Sequence, residues 1–193
     1  ALSNGHLVYL IGNDDSHDVS DITDIATRFT MINADENEAE KILSSLENGN
    51  AVGVDFPIIY DETLEHKIKR LKKNLPHITQ VELKDDTLLV SASKPISKIR
   101  FIGQEGKELK TQKNIKTGTY VIQPEDNYVR CELKFKDGTT LYLNPITRHE
   151  NNEITKQRLD HINYPKTIIL WTVYLSIISF AAYRIIKRLR NRR

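Results

Sequence analysis

Cysteine is almost missing from these 193 residues: Cys131 stands alone, so no internal disulfide can form. A lone thiol says nothing either way about an oxidising compartment. Acidic residues are missing from the end of the chain, where Lys166 to Arg193 carries seven Lys and Arg and no Asp or Glu. Taking those seven from 28 basic residues leaves 21 against 26 acidic ones, so the formal net charge of +2 conceals a remainder at −5. A mildly acidic remainder offers no basic face for a phosphate backbone, and no nucleic-acid partner is expected. Apolar residues are not scarce: 39% hydrophobic and 28% charged is ordinary for a globular chain, so a mean hydropathy of −0.46 does not signal disorder. The length suits one or two domains.

Charge disappears altogether from Thr167 to Tyr183, TIILWTVYLSIISFAAY. Extended past Arg184 to Ile186, the segment reaches some twenty residues, which at about 1.5 Å each is roughly the 30 Å of a bilayer's hydrocarbon core. Thr172, Ser176 and Ser179 can bond back to helix carbonyls, Arg184 can extend its charge to the headgroups, and Tyr164 and Tyr183 suit the two interfaces. A buried core helix fits less well, being shorter and polar on one side. The sequence therefore predicts a transmembrane helix over 166–186, with the lipid bilayer as its partner. The tail that follows, with Lys187, Arg188, Arg190, Arg192 and Arg193, predicts a cytoplasmic carboxyl terminus and places residues 1–163 outside the cytoplasm. The tail should also attract anionic lipid.

Upstream, Leu7 to Ile11 is an apolar run expected to form a strand buried on both faces. It ends in Asn13, Asp14, Asp15, Ser16, His17 and Asp18. In an extended chain Asp15 and His17 project to one side, and a carboxylate with an imidazole suits zinc, manganese or iron. An acidic turn, with Asp18 or Ser20 capping the next element, accounts for the same residues, and two ligands are too few for a tight site. His6 lies at the wrong end of the run for a ligand.

Arg28 is a candidate for binding substrate phosphate, since a guanidinium forks onto its oxygens; a salt bridge to Asp21 or Asp24 is the other reading. Phe29–Ile32 reads as a strand. Residues 35–48 read as a helix, capped by Asp35 with Glu38 three residues on, its stripe of Ala39, Ile42, Leu43 and Leu46 facing a core, and Gly49 closing it. Ala51–Phe56 returns as a strand. A basic amphipathic helix follows over 61–76, either a solvated connector or a surface for anionic lipid or an acidic partner.

From 77 to 148 the texture becomes short β runs: Gln80–Leu83, Thr87–Ala92, Lys98–Ile102, Thr119–Ile122, Tyr128–Phe135 and Thr140–Leu143. Asp137-Gly138 between the last two marks a hairpin. Val129, Cys131, Leu133 and Phe135 should face inward. The spacing predicts a small antiparallel β-sandwich, with room for a protein partner. Residues 149–165 read as a polar stalk and 187–193 as the tail.

NGHLVYLIGNDDSHD, followed by RFTMINADENEAEKILSSLENGNAVGVDF, resembles the carboxyl-terminal part of the PHP (polymerase and histidinol phosphatase) family of metal-dependent phosphoesterases. The closing YVRCELKFKDGTTLYLNPITR is similar to the segment that follows the barrel in some bacterial members, with Tyr142, Asn144 and Pro145 matching. The resemblance implies that residues 1–60 belong to a (β/α)7-type barrel, giving an α+β chain of barrel piece, sandwich and membrane helix. It further implies that Asp15 and His17 ligate divalent metal, and that the activity is hydrolysis of a phosphorylated substrate by metal-activated water. The family's other ligands lie upstream of this pair, and the chain opens on Ala1, so it reads as a fragment inactive by itself. The alternative is a non-catalytic, membrane-tethered binding or structural module.

Overall fold

A computed structural model describes residues 2–4, 7–148 and 163–191. Two compact units are present, 1–156 and 157–193. The first is built on eight strands: β1 (Arg28–Ile32), β2 (Ala51–Asp55), β3 (Ile78–Lys84), β4 (Thr87–Ile102), β5 (Glu108–Val121), β6 (Tyr128–Phe135), β7 (Thr140–Leu143) and β8 (Ile146–Thr147). Two helices, α1 (Ala39–Glu47) and α2 (Leu64–Asn74), join the early strands. The sheet runs β1-β2-β7-β6-β4-β3, with β5 added to β4 and β8 to β6, and every pairing is antiparallel.

This corrects two expectations. The strands of 77–148 do not close a sandwich of their own. They lie in one curled sheet, a half-barrel, which β2 joins by pairing Val52 with Leu143 and Asp55 with Thr140. Nor is there a strand at Leu7–Ile11, and neither β1 nor β2 has a parallel neighbour among the described residues.

The curl has a local cause in β4. Its first half, Thr87–Ala92, pairs with β3, and its second half, Ile96–Ile102, pairs with β6 along the same edge. Between them Pro95 has no N–H to give, and the register slips twice, around Ser91–Ile96 and Ile96–Lys98. The slip between Ile96 and Lys98 sets an extra residue of β4 against β6, a bulge that bends the strand. It also exchanges the inward parity: Leu88, Val90, Ala92 and Ile96 are buried before it, Ile99 and Phe101 after it.

These residues share one core with Val54 and Phe56 of the β2 arm and with Val129, Cys131, Leu133, Phe135 and Leu141. The inward set expected for β6 is the one observed. Each fully buried aliphatic side chain contributes about 2 kcal/mol of burial. The Asp137-Gly138 hairpin also forms, with Gly138 at φ 93, its N–H donating to Phe135 O at 3.1 Å, and Thr139 N–H donating to Asp137 Oδ1 at 3.0 Å.

The helices start later than the sequence suggests. α1 begins after Glu38, whose side chain makes no cap, rather than at Asp35. α2 is capped by Thr63, whose hydroxyl accepts His66 N–H at 3.2 Å.

The second unit contains α3 (Tyr164–Arg190), 27 residues with Pro165 in the first turn and the Asn163 side chain accepting Lys166 N–H. None of its residues is buried, and it is long and apolar enough to cross a membrane. Thr172 Oγ1 donates to Ile168 O, and Ser176 Oγ to Thr172 O, both at 2.8 Å. Lys187, Arg188 and Arg190 form its last turn. Gly5, His6, most of the expected stalk, Arg192 and Arg193 lie outside the described residues.

Candidate functional site

The apolar run that leads to Asp15 and His17 lies across β1 and β2 instead of joining the ladder. Three glycines let it approach. The Tyr9 ring covers Gly49, Leu10 packs on Gly53, and a Cβ on Gly12 would stand 2.5 Å from Phe29 O. Leu10 N–H donates to Asn144 Oδ1 at 2.7 Å, and Asn144 Nδ2 donates to Gly49 O at 2.9 Å and Ala51 O at 3.1 Å. Gly12 and Thr30 exchange two bonds, Gly12 N–H to Oγ1 at 2.8 Å and Oγ1 to Gly12 O at 3.0 Å. Asn144 reads in the sequence as strand termination, yet it clamps three segments. Only its place after β7 hinted at that.

Beyond Gly12 the loop is held by its own carboxylates. Asp14 accepts Ala26 N–H, Asp18 accepts Ser20 N–H and Oγ, and Asp21 accepts Thr23 N–H and Oγ1. Asp24 Oδ2 accepts the N–H groups of His17 at 2.9 Å and Asp18 at 3.3 Å. Those two donors hold the Asp24 carboxyl below the usual range, and the Ser20 contacts do the same for Asp18. From below, the buried Lys67 donates its ammonium to Ile22 O at 2.6 Å and to Ile25 O. Burial pushes the Lys67 pKa down.

Asp15 and His17 occupy exposed positions alternating with half-buried Gly12, Asp14 and Ser16, and Asp15 adopts φ 53. No hydrogen bond or ion pair among the described residues engages the Asp15 carboxylate or the His17 ring. Equally, no group of three or more His, Cys, Asp or Glu among the described residues is placed to hold a metal. Arg28 stands opposite Asp55 in the β1–β2 register, 3.7 Å from its carboxylate, with the Arg28 side chain largely in solvent and that of Asp55 half-buried. Its partner is thus neither Asp21 nor Asp24.

Compared with family models, curated proteins and solved structures, this chain matches none. None of the three identifies a PHP domain.

A cleft of about 700 Å³ opens elsewhere, between the ends of β1, β2 and β7 and the start of β3. Tyr9, Asn33, Asn50, His77, Thr79 and Asn144 contribute to its lining, which contains no Asp, Glu, Lys or Arg. Asp15, His17 and Arg28 are not part of it.

Proposed function

We propose that this chain is the membrane-anchored portion of a PHP-type metal-dependent phosphoesterase, with Asp15 and His17 as two of the ligands to a divalent metal. One observation carries the reading. The loop commits Asp14, Asp18, Asp21 and Asp24 to its own backbone, while the Asp15 carboxylate has no partner among the described residues and the His17 imidazole makes no hydrogen bond or ion pair there, interacting only electrostatically with Asp24. An oxygen and a nitrogen donor suit zinc, manganese or iron, and further donors would come from outside the described residues. When bound, the metal supplies Lewis-acid stabilisation of charge on a phosphoryl oxygen. The chain's part is to present the pair on a fixed loop and to offer Arg28 for phosphate, since its link to Asp55 is long and solvated. α3 tethers the unit, and its basic end sets residues 1–163 outside the cytoplasm.

The test uses the full-length gene product with Asp15→Ala and His17→Ala variants, measuring bound metal and hydrolysis of p-nitrophenyl phosphate. Both variants should lose metal and turnover together. Equal metal content in all three proteins removes the assignment.

A second reading, a non-catalytic membrane-tethered module that binds a protein or glycan, is favoured by the uncharged cleft and by the lack of a three-ligand cluster among the described residues. Full-length protein with no metal above background and no turnover would support it.

A further inference from the structure

We propose that Ile58–Tyr60 and the outward face of α2 form a lipid-contacting patch that lays the sheet unit on the surface of an anionic bilayer. The proposal rests on α3 being a membrane anchor and is independent of the metal reading. Five large apolar side chains, Ile58, Ile59, Tyr60, Leu64 and Ile68, are 41–76% exposed within eleven residues of chain. Leu64 and Ile68 are one helical turn apart and share a face.

The segment before the helix is fixed to it by Arg70. That guanidinium donates to Pro57 O at 3.1 Å and to both Glu62 oxygens at 2.6 and 2.7 Å, and lies 4.3 Å over the Phe56 ring. The patch is therefore a built surface rather than a loose loop.

Charge selects the occupant. Lys69, Lys72 and Lys73 are exposed and make no hydrogen bond or ion pair among the described residues, whereas Lys67 is turned inward. Glu62 is neutralised by Arg70, with the His66 ring 2.8 Å from the same carboxylate, leaving Asp61 and Glu65 as the exposed acids beside them. Apolar side chains interleaved with lysines whose stems can extend along them are the composition of an interfacial helix. β5 and the residue before it also carry exposed Lys107, Lys113 and Lys116, but with only the half-buried Leu109 and Ile115 among them, so the α2 face is the one that joins several lysines to large exposed apolar side chains. The anchor in the same chain keeps the unit near the bilayer, where a weak surface affinity suffices.

The experiment uses the full chain in nanodiscs, with a nitroxide on Ile68→Cys or, as a control, on exposed Val121→Cys. Buried Cys131 stays unlabelled. In discs containing phosphatidylglycerol, the probe at position 68 should gain oxygen access and lose nickel-chelate access relative to pure phosphatidylcholine, and the control should not change. Raised salt should reverse the shift. Lys69→Gln with Lys73→Gln should lower the docked-to-undocked ratio by roughly fivefold per lysine. A position-68 probe equally open to the nickel chelate in both discs overturns the proposal, as does a control probe that shifts equally. A chain that does not enter discs overturns the anchor along with it.

Discussion

Replacing Asn144 by alanine tests how the loop bearing Asp15 and His17 is held. The side chain accepts Leu10 N–H and donates to the carbonyls of Gly49 and Ala51. A part-buried hydrogen bond contributes about 1 kcal/mol net, which would give about 3 kcal/mol for the three. The Leu10 amide is exposed and recovers a water bond once freed, so the expected loss is nearer to about 2 kcal/mol. Urea titration of the sheet unit in the full chain should show that loss as a shifted midpoint with an unchanged slope. Hydrogen exchange adds the local reading: Leu10 should lose protection, and peptides from β6 should exchange only as fast as the global destabilisation requires. Asn144→Asp keeps the acceptor but sets a carboxylate against two carbonyl oxygens, so it should cost at least as much as alanine. A loss under roughly 0.5 kcal/mol, with Leu10 exchange unaltered, would refute the clamp.

Gly12→Ala places a methyl 2.5 Å from Phe29 O, and a cost of about 1–3 kcal/mol should appear in thermal melting; an unshifted transition would show that the strap over β1 is not close-packed. Lys67 has its pKa lowered from 10.5 by burial, so its charged form costs stability below that depressed value, and the cost fades as pH rises to 10.5. Wild type should therefore gain stability relative to Lys67→Met over that alkaline window, and a difference independent of pH would contradict it. The Cys131 thiol is pushed up to about 12 by burial, so a thiol reagent at about pH 8 should modify it only after unfolding; rapid labelling of native protein would place it outside the core.

The sequence revealed most where one residue type governs one geometry. Alternation over Tyr128–Phe135 named the inward side chains, and Asp-Gly named the hairpin, because a two-fold period and a positive φ each leave a direct trace. β5 was legible only at its end. Glu108–Gly118 alternates lysine and other polar residues with few apolar ones, as suits a strand whose outer side has no partner among the described residues. β4 reads as two strands because Pro95 divides it and the bulge inverts its parity, so no single period runs through it.

Leu7–Ile11 misled for the opposite reason. Tyr9 and Leu10 pack on Gly49 before β2 and on Gly53 within it, which a count of apolar neighbours cannot separate from strand pairing. At the candidate site, the sequence expectation assumes an extended chain that sets Asp15 and His17 on one side, whereas Asp15 adopts φ 53 and the chain is not extended there. Nor was the anchoring by Asp14, Asp24, Lys67 and Asn144 legible, because each meets a partner far along the chain or at a backbone atom.

The pairing of β2 with β7 has a consequence for how such a chain matures. Val52 must wait for Leu143, so the amino-terminal ribbon has no neighbour to settle against until nearly the whole sheet has emerged. As the chain folds, the β3–β6 region can assemble first, and the strap with its acidic loop closes over it last. Damage at the distant end of the unit would then first be felt at Asp15 and His17.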